Sequence, residues 1–476
     1  VVDVELIASG IPGMDELIGG LPEGELIIVA GGPGTGKTML SAGFIYWGAV
    51  KYGQRGVYVS LSEDRETFMR NMRAVGYDFE KLEERGLFKF LDLLTLMETG
   101  TAELLKLIIS ETTSFKAQRL VVDSLTAIAQ GVSNPRELRV FLHSLLSRIM
   151  RELNCTAILI EEVPFGEKGI GHGFEEFVAS AVIVLEKDMI DDKFMRRIRI
   201  EKLRGSPVTN NRACFTLRSG FEVFPPYRHQ KIENPKSLRP PRDPPNRYST
   251  GIEDLDLHLG GYPKGSTALL EIDPRITRDQ YRIITWPHSA GFLQKGRPII
   301  TIPGMGSNLR DVNAFYEAYA VTEEQRRISR HFLAASSIGH NPPQNIIPYD
   351  PNEGADAFIS KLEDAAESLL KECGKPPLIT VSMDSMEFNY GDEGTLKIVA
   401  RLSAWTRRNE GLSLLVDKLT FPEISKRLAS IATIHLKLTR KHGCLLLYGV
   451  KPRTTLYAVK LETEEGYYQT RLIPII

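Results

Sequence analysis

The chain has 476 residues, 42% of them hydrophobic and 25% charged, which is too long for one ordinary core and calls for roughly two to four folded domains. A formal net charge of −1 argues against a dedicated nucleic-acid or membrane-surface binder, although it leaves room for a local basic patch. No apolar run nears the ~18–20 residues of a membrane span, no signal pattern opens the chain, and Cys155, Cys214, Cys373 and Cys444 are too scattered for a zinc site or disulfide framework, so a soluble protein of a reducing, cytoplasmic compartment is expected.

In chain order, Glu25–Ala30 is a short apolar strand leading into Gly31-Gly-Pro-Gly-Thr-Gly-Lys-Thr38, and residues 38–50 form a helix with Gly53 as its stop. Val57–Leu61, Leu120–Asp123 and Thr156–Glu161 are further strands. A helix is expected from near Pro135 to Leu153, with Ser133 and Asn134 as caps. Buried strands alternating with amphipathic helices imply a largely parallel sheet covered on both faces. Val182–Leu185, Arg197–Lys202, Ala213–Leu217 and Phe221–Phe224 predict an antiparallel extension.

Residues 225–247 are proline-rich, which suits a semi-rigid linker. The sequence then starts again. At an offset of 241, Gly10, Ile11, Asp15, Gly19, Gly20, Pro22 and Gly24 recur as Gly251, Ile252, Asp256, Gly260, Gly261, Pro263 and Gly265, seven identities in 17 positions. Two copies of one domain are therefore expected, at 1–224 and 248–476.

Gly31-x4-Gly36-Lys37-Thr38, between a strand and a helix, is a phosphate-binding loop for a nucleoside triphosphate with magnesium. Gly32, Gly34, Thr35 and Gly36 shape a cradle of backbone N–H groups, Lys37 reaches the β- and γ-phosphates, and the Thr38 hydroxyl binds the metal. Asp123, an acid at the tip of a buried strand, is the second metal-supporting group. Glu63 is the candidate base or water-orienting group, with Glu161 and Glu162 as second candidates. Lys202 and Arg204 share one face of a strand, either as a solvated edge or as fingers onto a neighbour's phosphate.

Together Ser9-Gly10-Ile11-Pro12-Gly13-Met14-Asp15-Glu16-Leu17, GGPGTGKT, Val121-Val-Asp-Ser124, Gly173-Phe-Glu-Glu-Phe-Val178 and Lys202-Leu-Arg-Gly205 resemble the KaiC-like ATPases of the RecA superfamily. The resemblance implies two tandem RecA-like α/β domains, each a mostly parallel twisted sheet flanked by helices. It implies ATP with Mg2+ bound between subunits of a ring, usually a homohexamer, and makes Lys202 and Arg204 trans-acting. It also places the strand before Glu63 next to the phosphate loop. The family pattern has two adjacent glutamates where this chain has Ser62-Glu63, which implies slow hydrolysis.

The second copy matches only in outline. Ile272-Asp-Pro-Arg-Ile-Thr-Arg-Asp279 stands opposite GGPGTGKT with every glycine gone, and its acids oppose phosphate. Val381-Ser-Met-Asp384-Ser385 and Lys451-Pro-Arg453 read as remnants of the Asp123 strand and the Lys202 segment. A pseudo-ATPase domain that supports assembly or binds a protein partner is expected, within a regulatory or signalling ring ATPase. The alternatives are a RecA/RadA-type DNA-dependent recombination ATPase, an autokinase, and a ring in which bound ATP serves only as glue. Residues 164–173 supply few cations for a DNA-facing loop, and the kinase activity of the family belongs to the copy that has lost its loop here.

Overall fold

The computed structural model describes residues 5–94, 101–130, 153–164, 179–228, 230, 232–338, 342–419 and 422–476. The expected helix at 135–153 and the Gly173–Val178 motif lie outside the described residues, Leu153 apart. The chain forms two compact units, one of residues 1–226 with 441–444 and 474–476, the other of 227–440 with 445–473. Both are RecA-like α/β domains.

The first unit opens with a two-stranded antiparallel ribbon, β1 (Leu6–Ile7) and β2 (Leu21–Pro22). Its nine-stranded sheet contains β3 (Leu26–Gly31), β4 (Gly56–Ser60), β5 (Phe88–Asp92), β6 (Arg119–Asp123), β7 (Thr156–Glu162), β8 (Ala181–Ile190), β9 (Lys193–Leu203), β10 (Arg212–Thr216) and β11 (Glu222–Phe224). The spatial order is β11-β10-β9-β8-β3-β7-β6-β4-β5. From β5 to β8 all neighbours are parallel, and β8 to β11 are antiparallel. The central strands β3, β4 and β6 are buried at every residue, as strands covered on both faces must be.

The β8–β9 hairpin is longer than its apolar pattern predicts. Asp191 and Asp192 adopt φ of 45° and 58°, the left-handed pair that a tight two-residue turn needs. Arg197 stands directly opposite Glu186 and bonds it at 2.6 Å, and also meets Asp188 at 3.3 Å. Cross-strand ion pairs thus extend a ladder that hydrophobicity alone would end.

The second unit begins with the ribbon β12 (Arg247–Tyr248) and β13 (Tyr262–Pro263). Its ten-stranded sheet contains β14 (Ser266–Ile272), β15 (Ile299–Ile302), β16 (Ser329–Ala334), β17 (Ile346–Tyr349), β18 (Leu378–Ser382), β19 (Leu412–Asp417), β20 (Ile434–Lys441), β21 (Cys444–Lys451), β22 (Tyr457–Glu462) and β23 (Gln469–Pro474). The order is β17-β16-β15-β18-β19-β14-β20-β21-β22-β23, the first arrangement with one edge strand, β17, added.

The recurring sequence signature has a structural cause. In the first copy the Asp15 carboxylate accepts from the N–H groups of Ser9 and Gly10, at 2.8 and 2.9 Å. In the second, Asp256 accepts from Thr250 N–H at 2.7 Å and from the Ser249 hydroxyl. Each aspartate ties down a turn whose glycine tolerates no side chain: a Cβ on Gly251 would lie 2.2 Å from the Pro287 carbonyl oxygen.

Among the described residues of 225–246 there is no helix or strand, and the later part of this stretch packs into the second unit. Leu238 is buried in that core, and Asp243 accepts bonds from Lys295 (2.6 Å) and Arg297. Burial opposes ionisation of Asp243, but those two cations outweigh it and hold the carboxyl at about 2.

Candidate active site

β3 delivers Gly31 to the C-terminal edge of the sheet, where chain reversal creates the loop Gly32–Gly36. Gly34 and Gly36 have φ of 66° and 105°, and a Cβ on Gly31 would lie 2.5 Å from the Leu185 carbonyl oxygen. Thr35 Oγ1 donates back to the Gly32 carbonyl at 2.9 Å, closing the turn. The helix Lys37–Tyr52 then begins at Gly36 with no side-chain cap. Its first N–H groups are left for an anion, and its dipole favours one.

Lys37 is buried and its Nζ donates to the Gly32 carbonyl at 3.0 Å. Burial pulls its pKa down, while Glu162 and then Asp123 pull it up. Thr38 and Asp123 meet directly. Asp123 Oδ2 accepts from Thr38 Oγ1 at 2.9 Å and from the Tyr58 hydroxyl at 2.7 Å. Burial raises the pKa of Asp123, and the bonds from Tyr58 and Thr38 work against that rise. Among the described residues no cluster of three His, Cys, Asp or Glu could hold a metal ion alone. The Thr38–Asp123 pair instead fits magnesium, which takes one or two protein oxygens and completes its shell with phosphate and water.

The approach of Glu63 differs from expectation. Its strand, β4, is not beside β3: β7 and β6 stand between them, and β4 pairs with β6. Glu63 therefore lies beyond Asp123 as seen from the phosphate loop, in a turn held by its own bonds, with its carboxylate 3.5 Å from the Asn71 amide. The Ser60 hydroxyl donates to the Glu63 carbonyl at 2.6 Å and accepts from the Glu63 N–H at 3.0 Å. Partial burial, then the Asp123 charge, raise the Glu63 pKa. Of the second candidates, Glu161 is buried in the tip of β7, whereas Glu162 is exposed and supplies the larger acidic pull on Lys37.

Lys202 and Arg204 do not join this group. β9 ends at Leu203, and the Arg204 N–H donates to the Ser180 carbonyl at the start of β8. That is the opposite edge of the sheet from Gly31, which pairs with Leu185 farther along β8. Lys202 pairs with Val182, and Arg204 lies just past the end of β9.

A family model described as "ATPase: KaiC" matches residues 7–227. UPF0273 proteins of Pyrococcus furiosus and Methanocaldococcus jannaschii are each 32% identical to this chain, over 238 and 235 residues. These alignments span 47% and 46% of this chain, and 95% and 96% of those proteins. The chain belongs to the KaiC-like ATPase family. It is also similar to the circadian clock oscillator protein KaiC of Parathermosynechococcus lividus, 32% identical over 53% of this chain and 47% of that one. A solved KaiC-like protein of Pyrococcus horikoshii is 38% identical over 47% of this chain and all of that one, with a TM-score of 0.42. Family membership makes this a P-loop ATPase of KaiC type that binds nucleotide.

The KaiC-like motif reading missed three groups. Tyr58 anchors Asp123, and its only sequence signal is an aromatic ring in an otherwise aliphatic strand. Lys187 Nζ donates to the Pro33 carbonyl at 2.9 Å, and Arg196 to the Gly34 carbonyl at 3.1 Å. Both stand on the β8–β9 hairpin, where their charges look like solvated surface in one dimension.

The second KaiC-like domain keeps the frame of this site but not its chemistry. β14 ends at Ile272 and the next helix starts at Arg278, the positions of Gly31 and Lys37 displaced by 241. Thr277 and Gln280 form a capping box on that helix, with the Gln280 side chain accepting from the Thr277 N–H at 3.0 Å. Arg275 bonds Asp273 at 2.6 Å and holds its carboxyl at about 2. Ser382 stands where Asp123 does at the end of its strand. Lys451 Nζ donates to the Ala429 carbonyl at 2.6 Å.

Proposed function

We propose that the chain is a ring-forming, slowly hydrolysing ATPase with a regulatory or signalling role and one working nucleotide site per protomer. The observation that carries this reading is the direct bond between Thr38 and Asp123 beside an uncapped glycine cradle. In this reading Gly32, Gly34, Thr35 and Gly36 aim backbone N–H groups at the phosphates of ATP, and Lys37 neutralises their charge. Thr38 and Asp123 hold Mg2+, which when bound draws charge off the β- and γ-phosphates. Tyr58 fixes the rotamer of Asp123. Glu63 orients the attacking water and accepts its proton; its raised pKa makes it a stronger base than an exposed glutamate. Ser62, in place of a second carboxylate, supports slow turnover.

Lys202 and Arg204, at the far edge of their own sheet, serve a neighbour's γ-phosphate, so the site is completed only in a ring, taken to be a homohexamer. The capping box at Thr277 and the Arg275–Asp273 pair occupy the groups that a phosphate would use. This supports a pseudo-ATPase role for the second domain, in assembly or in binding a protein partner.

Native mass and phosphate release, each measured with and without ATP and magnesium, test the proposal. ATP with magnesium is expected to convert small species into a hexamer that turns over slowly, and Lys37→Ala to stay small and inactive. A mass indifferent to nucleotide would sink the ring. Turnover stimulated by single-stranded DNA would favour the recombination reading instead.

A further inference from the structure

Lys187 on β8 and Arg196 on β9 stand directly opposite each other in the hairpin register. Side chains alternate across a strand, so this pair shares a face with Leu185, Ile198, Met189 and Phe194, while Glu186, Asp188 and Arg197 take the other. Like charges set directly opposite destabilise a hairpin, and no acidic side chain stands on this stretch of the face to offset them. Among the described residues, the ion pairs of the hairpin all lie on the other face, joining Arg197 to Glu186 and Asp188, and Arg199 to Glu186 and Glu201.

What the two cations meet instead is the phosphate loop. Lys187 Nζ donates to the Pro33 carbonyl at 2.9 Å, and one Arg196 nitrogen, Nη1, to the carbonyls of Gly34 and Thr35 at 3.1 and 3.3 Å. Arg196 Nε donates to the carbonyl of Ile476, within the same unit, which fixes the way the guanidinium faces. Three successive carbonyls of the loop are thus held from one side. In a trans peptide the C=O of one residue and the N–H of the next point in opposite directions. The N–H groups of Gly34, Thr35 and Gly36 are therefore turned away from the hairpin, that of Thr35 touching the Gly32 carbonyl at 3.4 Å. The charge of Lys187 also reaches Lys37, whose pKa it lowers against the pull of Glu162 and Asp123.

The second domain, which has no glycine loop, has a shorter hairpin. Gly31 pairs with Leu185, and Ile272 with Leu438, so Leu185 and Leu438 are equivalent positions. β8 continues from Leu185 to Ile190, but β20 continues from Leu438 only to Lys441, and the chain returns at Cys444. Arg440, at the place of Lys187, has its carbonyl bonded by Arg275.

We propose that Lys187 and Arg196 are positioning residues, a clamp that presets the phosphate loop for its nucleotide by holding the Pro33, Gly34 and Thr35 carbonyls outward. This rests on the reading of residues 31–38 as the nucleotide cradle. Loop N–H groups of this kind wrap the α- and β-phosphates, so the clamp serves ADP and ATP alike. It acts on substrate and transition state equally, and so on KM rather than kcat.

Isothermal titration of the full-length chain with magnesium and either ADP or a non-hydrolysable ATP analogue tests this. Arg196→Met is expected to weaken both nucleotides about tenfold, and to raise KM for ATP by the same factor with little change in kcat. Lys187→Met, at an exposed position that leaves the fold intact, is expected to weaken both about threefold, and Lys187→Arg to bind as the parent chain does. Glu186→Gln loosens the other face of the same hairpin and is expected to leave both affinities unchanged. Parent-like affinity in both methionine variants, a loss confined to the ATP analogue, or an equal loss in Glu186→Gln would overturn the clamp. Equal binding by the parent chain and Lys37→Ala would instead remove the cradle reading beneath it.

Discussion

Asp123 shows how a buried acid is kept at work. With 4% of its surface exposed it gains little from water, and the Tyr58 and Thr38 hydroxyls supply the donors that keep it a useful ligand. Glu63, half-buried beside it, feels both desolvation and that charge. Hydrolysis should therefore rise with pH through a Glu63 pKa above the usual carboxylate range and then level off. Glu63→Gln should keep nucleotide affinity, lose about 10²–10⁴-fold in phosphate release and flatten the pH profile. The buried Glu387 offers a test of the second domain. Among the described residues neither of its carboxylate oxygens has a hydrogen-bond partner, and desolvation, then Asp417, Asp392 and Asp384, raise its pKa to about 8. A carboxyl whose folded pKa is raised stabilises the fold while protonated, and loses that contribution as pH climbs from its ordinary value toward about 8. Glu387→Gln should thus melt progressively higher than the parent chain between pH 5 and 8, as scanning calorimetry would show. Motif spacing makes Lys37, Thr38 and Asp123 legible in the sequence, because phosphate chemistry ties those residue types to fixed places on one strand and one loop. Tyr58 and Lys187 act across strands, and no one-dimensional spacing encodes their approach.

At the scale of elements, the opening turns explain why a diverged repeat can still be recognised. Asp15 satisfies the N–H groups of Ser9 and Gly10, and Asp256 the Thr250 N–H and the Ser249 hydroxyl, so each holds the local fold whatever the domain binds. Asp256→Ala should cost about 1–3 kcal/mol in urea unfolding, the penalty of leaving such donors unpaired. Apolar runs reveal the strands β3, β4, β6 and β7, since a strand covered on both faces has to be continuous in Val, Ile and Leu. The hairpin β8–β9 is half hidden because Glu186, Asp188 and Arg197 stabilise it through paired charge. The sheet order is less legible still. Nothing in the local pattern around Val57–Ser60 says that two strands separate it from the phosphate-loop strand, since order is fixed by crossovers and long-range packing.

At the scale of the whole molecule, the proposed trans contacts make activity a property of pairs of protomers. Glu63→Gln keeps its nucleotide but lacks the water-orienting carboxylate, and a Lys202→Ala/Arg204→Ala double variant lacks the fingers. Each alone should be inactive, yet mixing them should restore part of the phosphate release, because some interfaces then join an intact carboxylate to intact fingers. No recovery from mixed, demonstrably hybrid rings would show that the two sets of residues do not cooperate across an interface.

The strand-for-strand match of Thr301 to Tyr58 and Ser382 to Asp123 also constrains the history of the chain. To recover a nucleotide site, the second half would need an aspartate at 382, a tyrosine at 301 to steady it, and an uncapped glycine loop before Arg278. None of these changes restores the site without the others, so a half that has lost them regains nucleotide binding only by several substitutions together.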